Sequence, residues 1–351
     1  MKDFYFFEDG NKNMNCLLGR KGANLCELYN EGFNIPYGFI IPSSSGSIEE
    51  AMRVFEEKCG VIGEDILVSV RSSPPISMPG MMESILNVDS YEFLVDSIDK
   101  VRKSWNNKRS VVYREEHNIS HDLSPAVIVQ KMVFGNKTKY SSSGVVFSKN
   151  PNDGADEIVG EFLFNSQGDE IVSGKSTPLS IIHLNQTILQ DLKKMVLDIE
   201  SHFRKPQEIE FTIEENNIFI LQTKDVTIGS GEENKAAKKH GLLIGKGIPS
   251  SYGTITGRVA LSSKKAIELK QLGEKVVLVR PETSPDDIEG ILASDGIATL
   301  QGGATSHAAV VARSMKKPCV CGCKILDVKE LDLITINGRS GEVFLHKGEY
   351  K

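Results

Sequence analysis

Apolar residues along the chain come in two kinds of run, and their alternation predicts a mixed α/β (α+β) protein. Residues 4–7, 38–41, 66–73 and 126–135 are β-branched or aromatic runs bounded by turn-forming residues, and read as strands. Residues 47–57 and 91–118 read as helices; the second carries Phe93, Leu94, Val95, Ile98, Val101 and Trp105 at helical spacing. Two strand pairs follow, at 143–151 with 157–168 and at 207–213 with 217–224. Over 226–239 the apolar pattern lapses into Gly, Ser, Glu, Asn and Lys, the composition of a linker. A second alternation starts near Gly241. It comprises a loop into a strand at 248–261, a helix at 266–273, a buried strand at 275–280, a helix start at 281–290, a short strand at 290–300 and a closing hairpin at 333–345.

The 351 residues suffice for two or three domains. With 40% hydrophobic and 25% charged residues the composition is that of a globular protein, and a net charge of −6 argues against nucleic-acid binding. No apolar run reaches transmembrane length, and residues 1–9 lack the core of a signal peptide, so a cytoplasmic protein without membrane contact is expected. The six cysteines form no disulfide framework. Cys319, Cys321 and Cys323 alternate, so on a strand their thiols share a face, and buried structural thiols are favoured over a metal site.

The most informative stretch is 301–313, Gln-Gly-Gly-Ala-Thr-Ser-His-Ala-Ala-Val-Val-Ala-Arg. A two-glycine turn leads into a small-residue helix with His307 in its first turn. Unpaired N–H groups and the positive end of the helix dipole suit a phosphoryl group on the imidazole. Thr305 and Ser306 are available to cap the helix or to donate to phosphate. A histidine in such a place also fits a plain helix cap; the glycines, hydroxyls and small helix favour a nucleophile.

Upstream lie residues suited to polyphosphate. Gly19 and Gly22 flank Arg20 and Lys21, which fits an anion loop or a solvated turn. Arg71 ends a strand, where it can fork to phosphate or pair with a surface carboxylate. Residues 126–135 suit the stacking and edge contacts of an adenine ring, and equally a core strand. In 207–213 alternation puts Glu208 and Glu210 on one face, and the returning strand puts Gln222 and Lys224 on another common face. Oxygen donors from neighbouring strands make a hard-cation site.

These motifs, in this order, resemble the phosphoenolpyruvate-utilising enzymes, nearest to the pyruvate, phosphate dikinases. The resemblance covers nearly the whole chain. It implies an ATP-grasp-like nucleotide domain at 1–225, in lobes of about 1–120 and 121–225, a linker at 226–240, and a swivelling β/β/α phosphohistidine domain at 241–351. It implies ATP contacts from Lys21, Arg71, Gly80, Glu208, Glu210, Gln222 and Lys224, an adenine hinge including Gln130, Met132 and Val133, and Mg²⁺ on Glu210 and Gln222. His307 is then the catalytic residue, phosphorylated by ATP with release of AMP, and phosphate or water takes the other phosphoryl group.

The chain departs from that family at several residues, Arg20 in place of a glycine among them, and in two missing parts. Ser73-Pro74-Pro75 stands where Gly-Ala-Arg is usual, Glu208 replaces an Asp and Lys224 an Arg. A helical insertion near Ile119 is missing. No barrel for phosphoenolpyruvate or pyruvate follows Lys351, so the acceptor is expected on a separate chain. A split dikinase or phosphoenolpyruvate synthase, a phosphotransferase for another small-molecule or protein acceptor, and a non-catalytic ATP-binding regulator are the three readings that follow.

Overall fold

The computed structural model describes residues 2–43, 48–173, 176–226, 228, 241–323 and 327–346. Most of the linker expected at 226–240, and the start of the helix expected at residue 47, lie outside the described residues.

In chain order the first elements are β1 (Tyr5–Phe6), α1 (Asn15–Asn30), β2 (Gly38–Ile41), α2 (Glu49–Cys59), β3 (Val68–Ser73), β4 (Ser84–Val88), α3 (Tyr91–Lys103), α4 (Lys108–Glu116) and β5 (Ala126–Lys131). Then come β6 (Ser142–Phe147), β7 (Val159–Phe164), α5 (Gly168–Ser173), β8 (Leu179–Ser180), α6 (Gln186–Phe203), β9 (Gln207–Glu214) and β10 (Asn217–Asp225). The last are β11 (Leu242–Lys246), β12 (Ile248–Ser251), β13 (Thr254–Ala260), α7 (Ser263–Gln271), β14 (Val276–Arg280), α8 (Ile288–Ala293), β15 (Gly296–Thr299), α9 (His307–Ser314), β16 (Cys319–Cys321), β17 (Leu333–Asn337) and β18 (Glu342–Leu345). Packing gathers these into two compact units, Met1–Ser142 with Ile209–Lys224 and Ser143–Glu208 with Asp225–Lys351.

The first unit is built on an antiparallel sheet in the order β1-β2-β5-β3-β4. Val68, Val70, Val127, Val129, Phe39 and Ile41 pack with Met52 and Phe55 of α2 and Leu94, Ile98 and Val101 of α3 into one core. The apolar spacing of α3 supplies its inner face, and Ser90 starts it by accepting from the Phe93 N–H at 3.3 Å. The helix expected over 91–118 breaks at Asn107, whose side chain caps α4 by accepting from the Ser110 N–H at 2.8 Å. The neighbouring strands β9 and β10 complete this unit over Ile209–Lys224. Asn24 and Asn34 hold β10, donating to the Thr223 and Ile218 carbonyls at 3.0 and 2.8 Å.

In the second unit eight strands form one sheet, β11-β18-β17-β13-β14-β15-β16-β12. From β13 through β14 and β15 to β16 the neighbours are parallel. α7 and α8 lie in the connections of these parallel strands, and α9 joins β15 to β16. Ala308, Ala309, Val311 and Ala312 of α9 are buried, small enough for the helix to lie close to the sheet. The same unit holds β6, β7 and β8 as neighbouring strands.

Candidate functional site

In the first unit β3 and the β9–β10 pair bring together three residues that are far apart in sequence. Arg71 donates from Nη2 to Glu210 Oε2 and Gln222 Oε1, both at 3.0 Å, and from Nη1 to the Leu221 carbonyl at 2.9 Å. Gln222 Nε2 closes the ring on Glu210 Oε1 at 3.0 Å. Both carboxylate oxygens of Glu210 are thus engaged, and the Arg71 side chain is only 12% exposed. Lys21 and Lys224 lie within electrostatic reach. Burial, then repulsion from Arg71, lowers the Lys21 ammonium to about 7, with Glu210 pulling the other way. The cluster holds more cationic than anionic groups, as a receptor for a polyanion requires.

The carboxylate and the amide oxygen are hard donors, and two of them with water completing the shell suit Mg²⁺. Arg71 engages both oxygens here, so its fork has to turn outward before they face a cation. Glu208 is buried at 7% exposure.

The other expected nucleotide contacts are less direct. Gln130 sends its side chain to the Pro36 carbonyl at 2.9 Å, and Met132 spends its N–H on the Leu67 carbonyl at 2.9 Å. The Met132 sulfur accepts from the Asn87 N–H at 3.0 Å. Within the hinge, the Val133 main chain makes no hydrogen bond among the described residues, which leaves its groups for a base edge. Gly80 is exposed at φ +72°, a conformation that favours glycine.

The segment around Lys21 is not the open loop that its glycines suggest. α1 runs through it with one kink, at Gly19, where φ is +67°. The Arg20 N–H goes to the Pro74 carbonyl at 3.0 Å and the Gly22 N–H to Ser73 Oγ at 2.9 Å. Those amides are therefore closed to an anion, and Lys21 supplies its side chain alone.

In the second unit His307 opens α9 and is 8% exposed. Its Nδ1 lies 3.2 Å from Thr283 Oγ1. Thr283 is buried in the turn after β14, a turn set by the Asp287 carboxylate, which accepts from the Ser284 N–H at 3.0 Å and the Ser263 hydroxyl at 2.8 Å. When Nδ1 carries the ring proton and Thr283 accepts it, Nε2 holds the lone pair, and a phosphoryl group added there leaves the bond intact.

The hydroxyls beside His307 are used differently from the expectation. Ser306 occupies the cap position without capping; its Oγ donates to the Gly303 carbonyl at 2.8 Å. Thr305 Oγ1 donates to Glu161 Oε2 at 3.0 Å. Glu161, on β7, also accepts from the Ala304 and Thr305 N–H groups at 3.0 and 3.1 Å. A carboxylate thus fills the cradle of amides before the helix. Gly303 makes room for it, since a Cβ there would lie 2.4 Å from Glu161 Oε2.

Thr283 and Glu161 are the two site residues that sequence reasoning missed. Thr283 reads as part of a helix start, and Glu161 as one polar position in a strand; neither pattern points at His307.

Cys319 and Cys321 share a face, with Sγ atoms 3.6 Å apart, and Cys321 Sγ lies 3.5 Å from Ser306 Oγ. Cys323 departs from the expected alternation: the strand ends at Cys321, and Gly322 turns the chain at φ +65°. All three thiols are buried.

Residues 43–188 and 179–241 match the family model described as pyruvate phosphate dikinase, AMP/ATP-binding domain, and residues 272–341 match that of the PEP-utilising enzyme, mobile domain. The pyruvate, phosphate dikinase of Rickettsia prowazekii is 31% identical over 98% of this chain and 58% of its own length. That of Clostridium symbiosum is 32% identical over 97% and 57%. Pyruvate, phosphate dikinase 2 of Zea mays is 28% identical over 97% and 56%. The chain spans a little under three fifths of these relatives, and no helix among the described residues is long and apolar enough to cross a membrane. With a matched nucleotide-binding model over more than half of its length, the chain belongs to the pyruvate, phosphate dikinase family.

Proposed function

We propose that the chain catalyses ATP-dependent phosphorylation of its own His307 and carries the phosphoryl group to an acceptor held by a separate molecule. The observation that carries this reading is the Arg71–Glu210–Gln222 ring with the desolvated Lys21 beside it. It is a cationic cluster with two hard oxygen donors, and its Arg71, Glu210 and Gln222 lie in the segment matched to an AMP/ATP-binding domain.

In the proposed reaction Lys21, Arg71 and Lys224 bind the polyphosphate, Gly80 lies over it, and the hinge including Gln130, Met132 and Val133 receives the adenine. Glu210 and Gln222 would hold Mg²⁺, with Glu208 nearby on the same strand. The cation, when bound, supplies charge neutralisation on the phosphate oxygens. His307 attacks through Nε2 as neutral imidazole, and Thr283 keeps the ring proton on Nδ1. Attack on the β-phosphorus breaks its bond to the α-phosphate bridge and releases AMP. The γ-phosphoryl group passes to phosphate or water, leaving phosphohistidine.

The domains in this scheme are 1–225 for nucleotide and 241–351 for His307, joined by 226–240. The scheme is placed in the cytoplasm, where ATP is available as donor. In this reading the acceptor is pyruvate held by a partner protein.

ATP labelled separately at the β and γ positions tests the scheme. Acid-labile β-label on the protein is expected, together with AMP, and both are lost in His307→Ala. Label from the γ position alone, with ADP as product, would overturn it.

A further inference from the structure

The segment between β3 and β4 carries Gly80 and is fastened at both ends. At its start the Ser73 hydroxyl donates to the Leu18 carbonyl at 2.8 Å and accepts from Gly22, while the Pro74 carbonyl accepts from Arg20. At its end one acceptor, the Met81 carbonyl, faces three donor groups from the start of α4, of which the Ser110 hydroxyl is shared with the Ser104 carbonyl at 2.9 Å. Asn107 Nδ2 stands at 3.2 Å, Arg109 Nε at 2.9 Å and Ser110 Oγ at 2.8 Å.

Arg109 does more than the other two. Its Nη2 donates to the Glu83 carboxylate, and the Glu83 N–H donates to Ser104 Oγ at 3.1 Å. One planar guanidinium therefore spans the Met81 carbonyl and the Glu83 side chain, fixing two positions just past Gly80 relative to each other. Met78, Met81 and Met82 are buried below the loop, and Gly80 itself is exposed.

We propose that Arg109 is a positioning residue for nucleotide binding, which holds the Gly80 arch in its receiving shape before any nucleotide arrives. It acts through the Met81 backbone and touches no substrate. A loop already ordered loses less entropy on binding, so its role is read in ATP affinity more than in turnover. Lysine does not replace it, because a single ammonium cannot span a carbonyl and a carboxylate in fixed geometry. The nucleotide half of this proposal rests on the ATP reading above; the clamp itself does not.

Two measurements on the full chain test it: hydrogen exchange of amides 76–83 without nucleotide, and the ATP dependence of His307 phosphorylation. In Arg109→Ala, exchange in that segment is expected to quicken and KM for ATP to rise, each about tenfold, with kcat within about twofold. Arg109→Lys is expected to resemble Arg109→Ala, and Glu83→Gln to shift both readouts less, in the same direction. Unchanged exchange and KM in Arg109→Ala would overturn the proposal, and so would a fall in kcat at constant KM. Should Arg109→Ala fail to fold, unchanged readouts in Glu83→Gln overturn it equally. A wild-type chain that binds no ATP would remove the functional reading and the nucleotide half together, while the exchange arm still decides the clamp.

Discussion

Lys21 shows how far a single residue's role depends on what surrounds it. In sequence it is a lysine between glycines, a pattern shared with many solvated turns. In the folded chain, burial and the neighbouring Arg71 lower its ammonium to about 7. Near neutral pH the ligand-free protein therefore holds this lysine partly deprotonated. A bound polyphosphate supplies the missing counter-charge and raises the pKa, so binding takes up a proton. The bound form then carries more protons than the free form, and affinity for ATP falls as pH rises from about 7 toward the ordinary lysine range. Calorimetric titration with ATP at about pH 8, in two buffers of different ionisation enthalpy, reads this as net proton uptake that disappears in Lys21→Met. Equal apparent enthalpies in the two buffers for the wild type would reject it.

At the scale of elements, the strands and helices of the first unit follow from periodicity, whereas the purpose of the glycines in α1 does not. Gly19 and Gly22 read as an anion loop because spacing carries no information on what another strand presses against them. A Cβ on Gly19 would lie 1.7 Å from the Ser73 carbonyl oxygen, at φ +67°. On Gly22 it would meet the end of the Ile40 side chain at 2.8 Å, and on Gly32, at φ +81°, nothing within 4 Å. Three alanine substitutions thus separate backbone clash from backbone conformation. Gly19→Ala is expected to destabilise the unit by about 3 kcal/mol or more, since both effects act and the clashing atom is main chain. Gly32→Ala, with strain alone, and Gly22→Ala, with a yielding side chain, are each expected to cost about 1 kcal/mol. Denaturant unfolding measures the series, and equal costs for Gly19 and Gly32 would show that close approach to Ser73 is unimportant. The Ser73-Pro74-Pro75 departure gains a physical role from the same contact: it is the part of β3 and its exit that fastens onto the α1 kink.

For the whole molecule, the sequence carried the order of motifs and pointed to Arg71, Glu210 and Gln222 one by one, because alternation places side chains on faces, but it did not bring the three into one ring. It did not carry the contact of β7 with the loop before His307. That contact joins residues 143 positions apart by hydrogen bonds to main-chain N–H groups, which no side-chain pattern encodes. Burial raises the Glu161 carboxyl above its ordinary value, against the pull of the Ala304 and Thr305 amides, the Thr305 hydroxyl and Arg313. The folded chain therefore binds this proton more tightly than the unfolded one. The stability Glu161 contributes is fully present below the ordinary carboxylate range and is lost as pH rises through the folded pKa. Glu161→Gln keeps the shape of the protonated group and cannot ionise, so it removes that slope. Its melting temperature relative to wild type is expected to rise with pH across the window that starts at the ordinary glutamate pKa, about 4.3, and ends above the folded pKa. Glu161→Ala leaves the two amides to water, and their hydrogen exchange is expected to quicken at every pH. A glutamine variant whose melting tracks the wild type at all pH values would mean that the carboxylate is not held by the loop in solution. In that case the cradle before His307 stands open to a phosphoryl group from the start. If the slope is removed as expected, Glu161 has to leave the amides of Ala304 and Thr305 before phosphate oxygens take them.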